Sequence, residues 1–183
     1  MDTITLERIK TLHPNIRDRV LKAYQFANNK LLGKGVRLRF ARTYATKEQQ
    51  DALYAQGRSR LFDADGKRLG IVTYVKGGFS IHNYGLAWDI VLLLDKDGDG
   101  TLETASWNTT LDFDKDGTAD WMEVVDYFKS LGFVWGGDWK NFKDKPHFEL
   151  TFGHNARSLK KLVDEGKFTT EIINGVKYVY PIL

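Results

Sequence analysis

Two histidines and an aspartate, widely separated along the chain, offer the donor set of a hydrolytic metal site. His82 lies in Ser80-Ile81-His82-Asn83-Tyr84-Gly85-Leu86-Ala87-Trp88-Asp89, and His147 lies in Asp144-Lys145-Pro146-His147-Phe148-Glu149. The 183 residues include no Cys. Disulfides, thiolate catalysis and Cys-type zinc sites are therefore excluded together, and a transition metal must be held by His and carboxylate. Catalytic zinc takes three such ligands and keeps one position for water. The ion lowers the pKa of that water from about 16 to about 7, which supplies a nucleophile at neutral pH. Asp89 is the sharpest of the three signals. It interrupts the apolar run LAWDIVLLL, where an unpaired charge is costly and a metal would compensate it. Gly85 lets the chain turn tightly enough for His82 and Asp89 to face one point. The competing reading pairs Asp89 with an arginine and leaves both histidines as ordinary polar residues.

A second group of oxygens suits a different ion. Asp112-Phe113-Asp114-Lys115-Asp116-Gly117-Thr118-Ala119-Asp120-Trp121-Met122-Glu123 follows D-x-D-x-D-G-x5-E. Asp112, Asp114, Asp116, Asp120 and Glu123 would supply carboxylates, Thr118 a backbone carbonyl, and Gly117 the sharp turn of a calcium loop. Without a cation these carboxylates repel one another, so calcium is expected; a solvated acidic loop is the alternative. Asp95-Lys96-Asp97-Gly98-Asp99-Gly100-Thr101-Leu102-Glu103 begins the same way. Its twelfth position is Ser106, which cannot give a bidentate carboxylate, so it is a weaker loop or a donor of extra oxygens.

The elements that must position these groups are short. Ile16, Val20, Tyr24, Ala27 and Leu31 recur at helical spacing over 14–31, with Pro14 at the start. Val36–Ala41 alternates as a half-buried strand. Thr46 and Gln49 form a capping box for a helix over 47–56, which Gly57 ends. Ile71–Val75 reads as a strand before Gly77-Gly78, and Leu86–Leu94 as a buried central strand. Residues 95–117 read as loop, and Trp121–Leu131 as an amphipathic helix closed by Gly132. Short strands are expected at Phe133–Trp135 and Phe148–Phe152, a helix over 156–165, and a last strand at Lys177–Pro181. The expected class is α+β, with a small antiparallel sheet carrying the metal ligands and helices on its other face. No repeat, linker or low-complexity tract divides the chain, so 1–183 is expected as one domain with an insertion at about 95–123.

Composition narrows the rest. Hydrophobic residues at 42% and charged residues at 28% describe a globular chain. The net charge of +3 is spread along the chain, with no basic stripe for nucleic acid. No apolar run has the length to cross a bilayer, and the first residues, MDTITLERIKTLHP, lack the apolar core of a secretory signal. Trp107, Trp121, Trp135 and Trp139 cluster around the third ligand. Trp139, after two glycines, is the best candidate for a cleft wall, although aromatics so spaced more often fill a core.

Ser80, His82, Gly85, Ala87 and Asp89 match every position of S-x-H-x-x-G-x-A-x-D, and Asp144 with His147 matches the carboxylate-x-x-His element that follows it. In these motifs the chain resembles the zinc peptidases of the VanY, VanX and D-alanyl-D-alanine carboxypeptidase group. Arg42-Thr43, Gln50, Leu53-Tyr54-Ala55-Gln56-Gly57-Arg58, Trp135-Gly136-Gly137-Asp138-Trp139 and Pro146-His147-Phe148-Glu149 are similar to the L-alanyl-D-glutamate peptidases of phage endolysins and bacilli. The likeness covers about residues 10–152. It implies a Hedgehog/DD-peptidase-like fold, zinc on His82, Asp89 and His147, Asp144 as general base, and Arg42 on a substrate carboxylate or developing oxyanion. It also implies substrate contacts from Ser80 and Gln50, a peptidoglycan stem peptide as substrate, and action on the wall after holin-type release or lysis. A monomer is expected. On a regular strand His147 and Glu149 share a face and Asp144 does not, so Asp144 is expected in the preceding loop, with Glu149 behind the metal or as the alternative base. D-alanyl-D-alanine hydrolysis on the same fold, or a non-catalytic calcium- or wall-binding module, are the rival functions.

Overall fold

The computed structural model describes residues 2–183. Helix α1 (Thr3–Lys10) is capped by the Asp2 side chain, and α2 (Pro14–Phe26) continues through a π-helical turn at Ala27–Leu31. Strand β1 (Val36–Arg42) precedes α3 (Lys47–Ala55), which opens on the Thr46–Gln49 capping box. A 3-10 turn at Ile81–Tyr84 leads into β2 (Ala87–Leu94). Then follow β3 (Thr104–Ser106), α4 (Asp120–Ser130), β4 (Val134–Trp135), a 3-10 turn at Gly136–Asp138, and β5 (His147–Glu149). Helix α5 (Ala156–Asp164) and a hairpin of β6 (Phe168–Ile173) and β7 (Val176–Pro181) complete the chain. Among the described residues, no helix is long and apolar enough to cross a membrane.

The main sheet runs β1-β2-β5-β4, with β3 also on β2, and every pair is antiparallel. Strand β2 is its centre, which accounts for the nearly unbroken apolar run there. Side chains alternate across a strand. Trp88, Ile90, Leu92 and Leu94 therefore enter the core with Leu38 and Phe40 of β1, Phe148 of β5, and Ile16, Val20, Trp121 and Phe128 of the helices. Asp89 stands on the other face. The Trp88 ring meets Phe40, Phe128, Phe133 and Phe148 at centroid distances of 4.9–6.2 Å. Such buried aromatic pairs each add ~0.5–1.5 kcal/mol beyond their burial, and they hold β2 rigid directly beneath the site.

Several expectations need correcting. Ile71–Val75 forms no strand; residues 57–80 are irregular, with Ile71, Val72 and Tyr74 exposed. The apolar run lacks a partner strand, and backbone pairing needs one. Strand β5 begins at His147 and stops at Glu149 because Phe152 and Gly153 take φ of 53° and 82°, turning the chain. The acidic region 95–117 contains β3, which extends the edge of β2. His82 sits on the 3-10 turn before the sheet. Helix α1 and strand β6 have no counterpart in the sequence reading. For β6 a signal was present: Asn174-Gly175 takes φ of 51° and 77°, the turn that asparagine-glycine favours in a two-residue hairpin.

Candidate active site

Local structure aims each donor. Strands β2 and β5 pair Asp89 with His147, and strands β1 and β2 pair Asp89 with Arg42 across a bulge. All three side chains thus gather on the face opposite the core. His82 arrives from the 3-10 turn. Asn83 fixes that turn, accepting from Ser80 N at 3.2 Å and Gly78 N at 2.8 Å and donating to Ala45 O at 2.8 Å. Gly85 ends the turn at φ 69°, and a β-carbon there would lie 2.8 Å from His13 N. Only glycine meets both demands without strain.

The donor geometry suits a metal. His82 Nδ1 lies 2.7 Å from the Thr43 carbonyl, so that nitrogen carries the proton and donates it there, leaving the Nε2 lone pair free for a metal. Asp89 Oδ1 is 3.3 Å from His82 Nε2 and 3.3 Å from His147 Nδ1. His147 Nε2 faces Glu149 Oε2 at 3.0 Å, the carboxylate backing that orients ligating imidazoles. Charge-assisted hydrogen bonds favour about 2.7–2.9 Å. Ligands held at about 2.0–2.1 Å on a tetrahedral ion stand about 3.3–3.4 Å apart. The separations around Asp89 fit shared coordination better than direct hydrogen bonding.

Electrostatics agree. Burial would raise the Asp89 carboxyl, but His82 and His147 hold it well below the usual carboxylate range. Burial opposes charge on His147 as well, yet Asp89 and Glu149 push its pKa up to about 9. The pocket thus favours positive charge between these residues, which a divalent cation would supply. Asp144 behaves differently: burial and then the Asp89 charge raise its carboxyl, the direction that suits a group exchanging protons near neutral pH.

These groups line a cleft of about 880 Å³ together with Arg42, Ser80, Trp139 and Phe142. Asp144 is placed by a turn before β5: its N–H donates to Gly136 O at 3.0 Å, and its carbonyl accepts from His147 N at 3.1 Å. A β-carbon on Gly136 would lie 2.4 Å from Asp144 O, so this crossing needs glycine. Arg42 Nη2 donates to Gln50 Oε1 at 2.7 Å. Gln50 is 1% exposed, and its Nε2 donates to Thr73 Oγ1 at 3.1 Å and Val75 O at 2.9 Å. Gln50 thus lines the cleft and braces Arg42 within it. The Trp139 ring lies 5.0 Å from that of His147. Trp121 and Trp135 belong to the core, and Trp107 is exposed. Sequence reasoning gave no role to Asn83 or Thr43. Asn83 acts through backbone groups, and Thr43 through its own carbonyl, which no residue type reveals.

The acidic loops form two further groups. Asp112, Asp114 and Asp120 bring carboxylate oxygens within 4.8 Å of one another, as do Asp95, Asp97, Asp99 and Glu103. Asp116 and Glu123 fall outside the first group, and the Asp116 carboxylate accepts from Thr118 N at 2.8 Å. Asp120 is buried, and its Oδ1 has no hydrogen-bond partner; nor does Glu123 Oε2. Burial and then the charges of Asp116, Asp114, Asp120 and Asp112 push Glu123 up to about 7. Unpartnered buried oxygens facing clustered carboxylates are the electrostatic setting a hard cation relieves. Asp114 Oδ2 accepts from Gly33 N at 2.6 Å, tying this loop to the α2–β1 connection.

An α+β fold presenting two imidazoles, a carboxylate and a nearby elevated acid in one cleft defines a hydrolase of the metal-dependent type. The family profile described as D-alanyl-D-alanine carboxypeptidase, of the M15 peptidases, matches residues 74–150. The peptidoglycan L-alanyl-D-glutamate endopeptidase CwlK of Bacillus subtilis (strain 168) is 41% identical over 139 residues, 76% of this chain and 73% of that protein. The L-alanyl-D-glutamate peptidase of Listeria phage A118 is 29% identical over 153 residues, 79% of this chain but only 44% of the phage protein. The solved structure of the Serratia marcescens L-Ala D-Glu endopeptidase ChiX aligns with a TM-score of 0.49 at 22% identity, covering 83% of this chain and 90% of that one. The chain belongs to the M15 metallopeptidase family.

Proposed function

We propose that the chain hydrolyses the L-alanyl-D-glutamate bond of the peptidoglycan stem peptide, with zinc held by His82, Asp89 and His147. The observation that carries this reading is the 3.3 Å spacing of Asp89 Oδ1 from both imidazoles; the named activity of the Bacillus relative supplies the bond. When bound, the ion acidifies a water and polarises the scissile carbonyl. Asp144 accepts the proton released as water attacks and returns it to the departing amine, a task its raised pKa suits. Arg42, braced by Gln50, holds a substrate carboxylate or the developing oxyanion. Ser80 and Trp139 line the substrate's path. Glu149, 3.0 Å from His147 Nε2, orients that imidazole.

Calcium is proposed on the Asp112–Glu123 loop, with Asp112, Asp114 and Asp120 at its centre and Asp116, Thr118 and Glu123 closing on it. The unpartnered oxygens of Asp120 and Glu123 support this. In this reading 1–183 act as one catalytic domain and as a monomer, with 95–123 as an insertion, and reach the wall by release or lysis.

The M15 profile's own description favours a second reading, D-alanyl-D-alanine hydrolysis. A digest of purified peptidoglycan analysed by mass spectrometry separates them. New N-terminal D-glutamate is the expected product; released D-alanine with intact L-alanyl-D-glutamate would overturn the choice of bond.

A further inference from the structure

A second depression, of about 530 Å³, adjoins the catalytic cleft and shares Arg42 and Leu53 with it. Its volume lies in the range of small-ligand sites. Arg8 of α1, Thr11 just after it, Tyr44, Gln56 at the end of α3, and Tyr178 of β7 line it with Arg42. We propose that this depression is a saccharide subsite, receiving the amino sugar that carries the stem peptide. The inference rests on the peptidoglycan reading above and extends it from the scissile bond to the glycan.

Three observations support it. The first is position. In peptidoglycan the L-alanine of the stem is joined through a lactyl ether to the sugar, so one residue separates the scissile bond from a pyranose ring. A subsite for that ring must adjoin the catalytic cleft, and the shared Arg42 and Leu53 meet this condition.

The second is chemistry. The lining holds two arginines and no Asp or Glu. It is therefore unsuited to the amino group of a diamino acid, which would follow D-glutamate on the other side of the bond. Two tyrosine rings with planar amide and guanidinium donors suit a neutral, hydroxyl-rich ring: the aromatic faces meet C–H groups and the N–H groups meet oxygens. The side chain of Gln56 and the hydroxyl of Tyr178 make no hydrogen bond among the described residues, although both line the depression. Arg8 donates one N–H to the Phe40 carbonyl, which fixes its guanidinium while leaving other donors free.

The third is construction. Tyr178 belongs to the β6–β7 hairpin, beyond the residues matched by the family profile. Its ring meets Tyr44 edge-on at 4.9 Å, and the Tyr44 hydroxyl accepts from Val179 N at 3.4 Å. Tyr44 follows Thr43, whose carbonyl holds His82. The hairpin is thus locked to the segment that positions a metal ligand, and the sugar subsite stands in fixed register with the reacting centre.

The test compares two substrates with zinc-loaded enzyme: N-acetylmuramyl-L-alanyl-γ-D-glutamyl-L-lysine and its N-acetyl-L-alanyl counterpart without the sugar. The expected result is a kcat/KM about tenfold higher for the sugar-bearing peptide, carried mainly by KM. In Tyr178→Ala and Gln56→Ala the ratio falls toward one, with thermal melting used to verify folding. Equal kcat/KM in the unsubstituted enzyme, or a ratio that neither variant alters, would overturn the subsite. If neither substrate is cleaved, the choice of bond fails instead. Titration of N-acetylmuramyl-L-alanine, followed by tyrosine NMR shifts, then decides the subsite alone: saturable binding lost in Tyr178→Ala supports it, and absence of binding refutes it.

Discussion

Asp89 faces His147 directly across the β2–β5 ladder, and the same Asp89 oxygen lies 3.3 Å from both the His147 and His82 nitrogens. Strand pairing therefore joins two candidate ligands 58 residues apart in sequence, while a separately anchored turn delivers the third. Each candidate ligand has its own support: His82 the Thr43 carbonyl, His147 the Glu149 carboxylate, and Asp89 the rigid aromatic layer under β2. This division makes the roles separable by substitution.

Asp144→Asn should lower kcat by about 10²–10⁴-fold, the usual contribution of a positioned proton carrier. Metal content measured by atomic absorption should stay at the unsubstituted value, because Asp144 lies outside the donor triad. Loss of metal together with activity would assign Asp144 to the ligand set instead.

Glu149→Gln removes the charge behind His147 Nε2. Metal affinity should drop about 10–100-fold, as for other outer-shell partners of ligating histidines. Competition against a chromogenic chelator measures this directly, and an unchanged affinity would refute the orienting role.

Gly136→Ala forces a β-carbon to within 2.4 Å of Asp144 O and 3.0 Å of His147 Cβ. Overpacking of this kind costs about 1–3 kcal/mol. Since the atoms that must yield carry the proposed base and a ligand, activity should fall at least about tenfold even where urea unfolding shows a folded protein.

Asp2 caps α1 and holds Arg39 of β1 through two bonds of 2.9 Å. Burial opposes ionisation of Asp2, but Arg39 and Thr5 outweigh it and lower its pKa. The contribution to stability is thus present above the ordinary aspartate value and disappears as pH falls through the lowered one. Asp2→Asn should cost about 1–3 kcal/mol at pH 7. The gap to the unsubstituted protein should narrow in unfolding curves taken below about pH 4.

With zinc kept saturating, calcium at about 100 times its dissociation constant should add about 2.7 kcal/mol, a rise in Tm of about 5–10 °C for a chain of this size. Asp120→Asn should abolish the rise. A calcium-dependent shift that survives this substitution would move the site to the Asp95–Glu103 loop.

Much of this architecture was legible in one dimension. The capping box of Thr46 and Gln49, the proline at the start of α2, and the glycine after α4 act within a few residues, so their types alone set the helix ends. The period-two pattern of β1 and the buried run of β2 were readable because burial imposes them along the strand. The Ile71–Val75 strand failed where pairing had to be supplied from elsewhere. The β6–β7 hairpin was missed although Asn174-Gly175 marked its turn, and α1 was missed although Asp2 marked its cap.

Residue types and their order determined which atoms could bind a metal, where a carboxylate interrupted a buried strand, and which loop carried surplus negative charge. These follow from chemistry that each side chain carries wherever it lies. Tertiary structure decided that Gln50 braces Arg42, that Thr43 selects the His82 nitrogen, that Asp144 curls beside the donor triad, and that a C-terminal hairpin walls a depression next to the cleft. Each of these is a distance between groups remote in sequence, set by strand register and packing, and no residue type encodes such a distance.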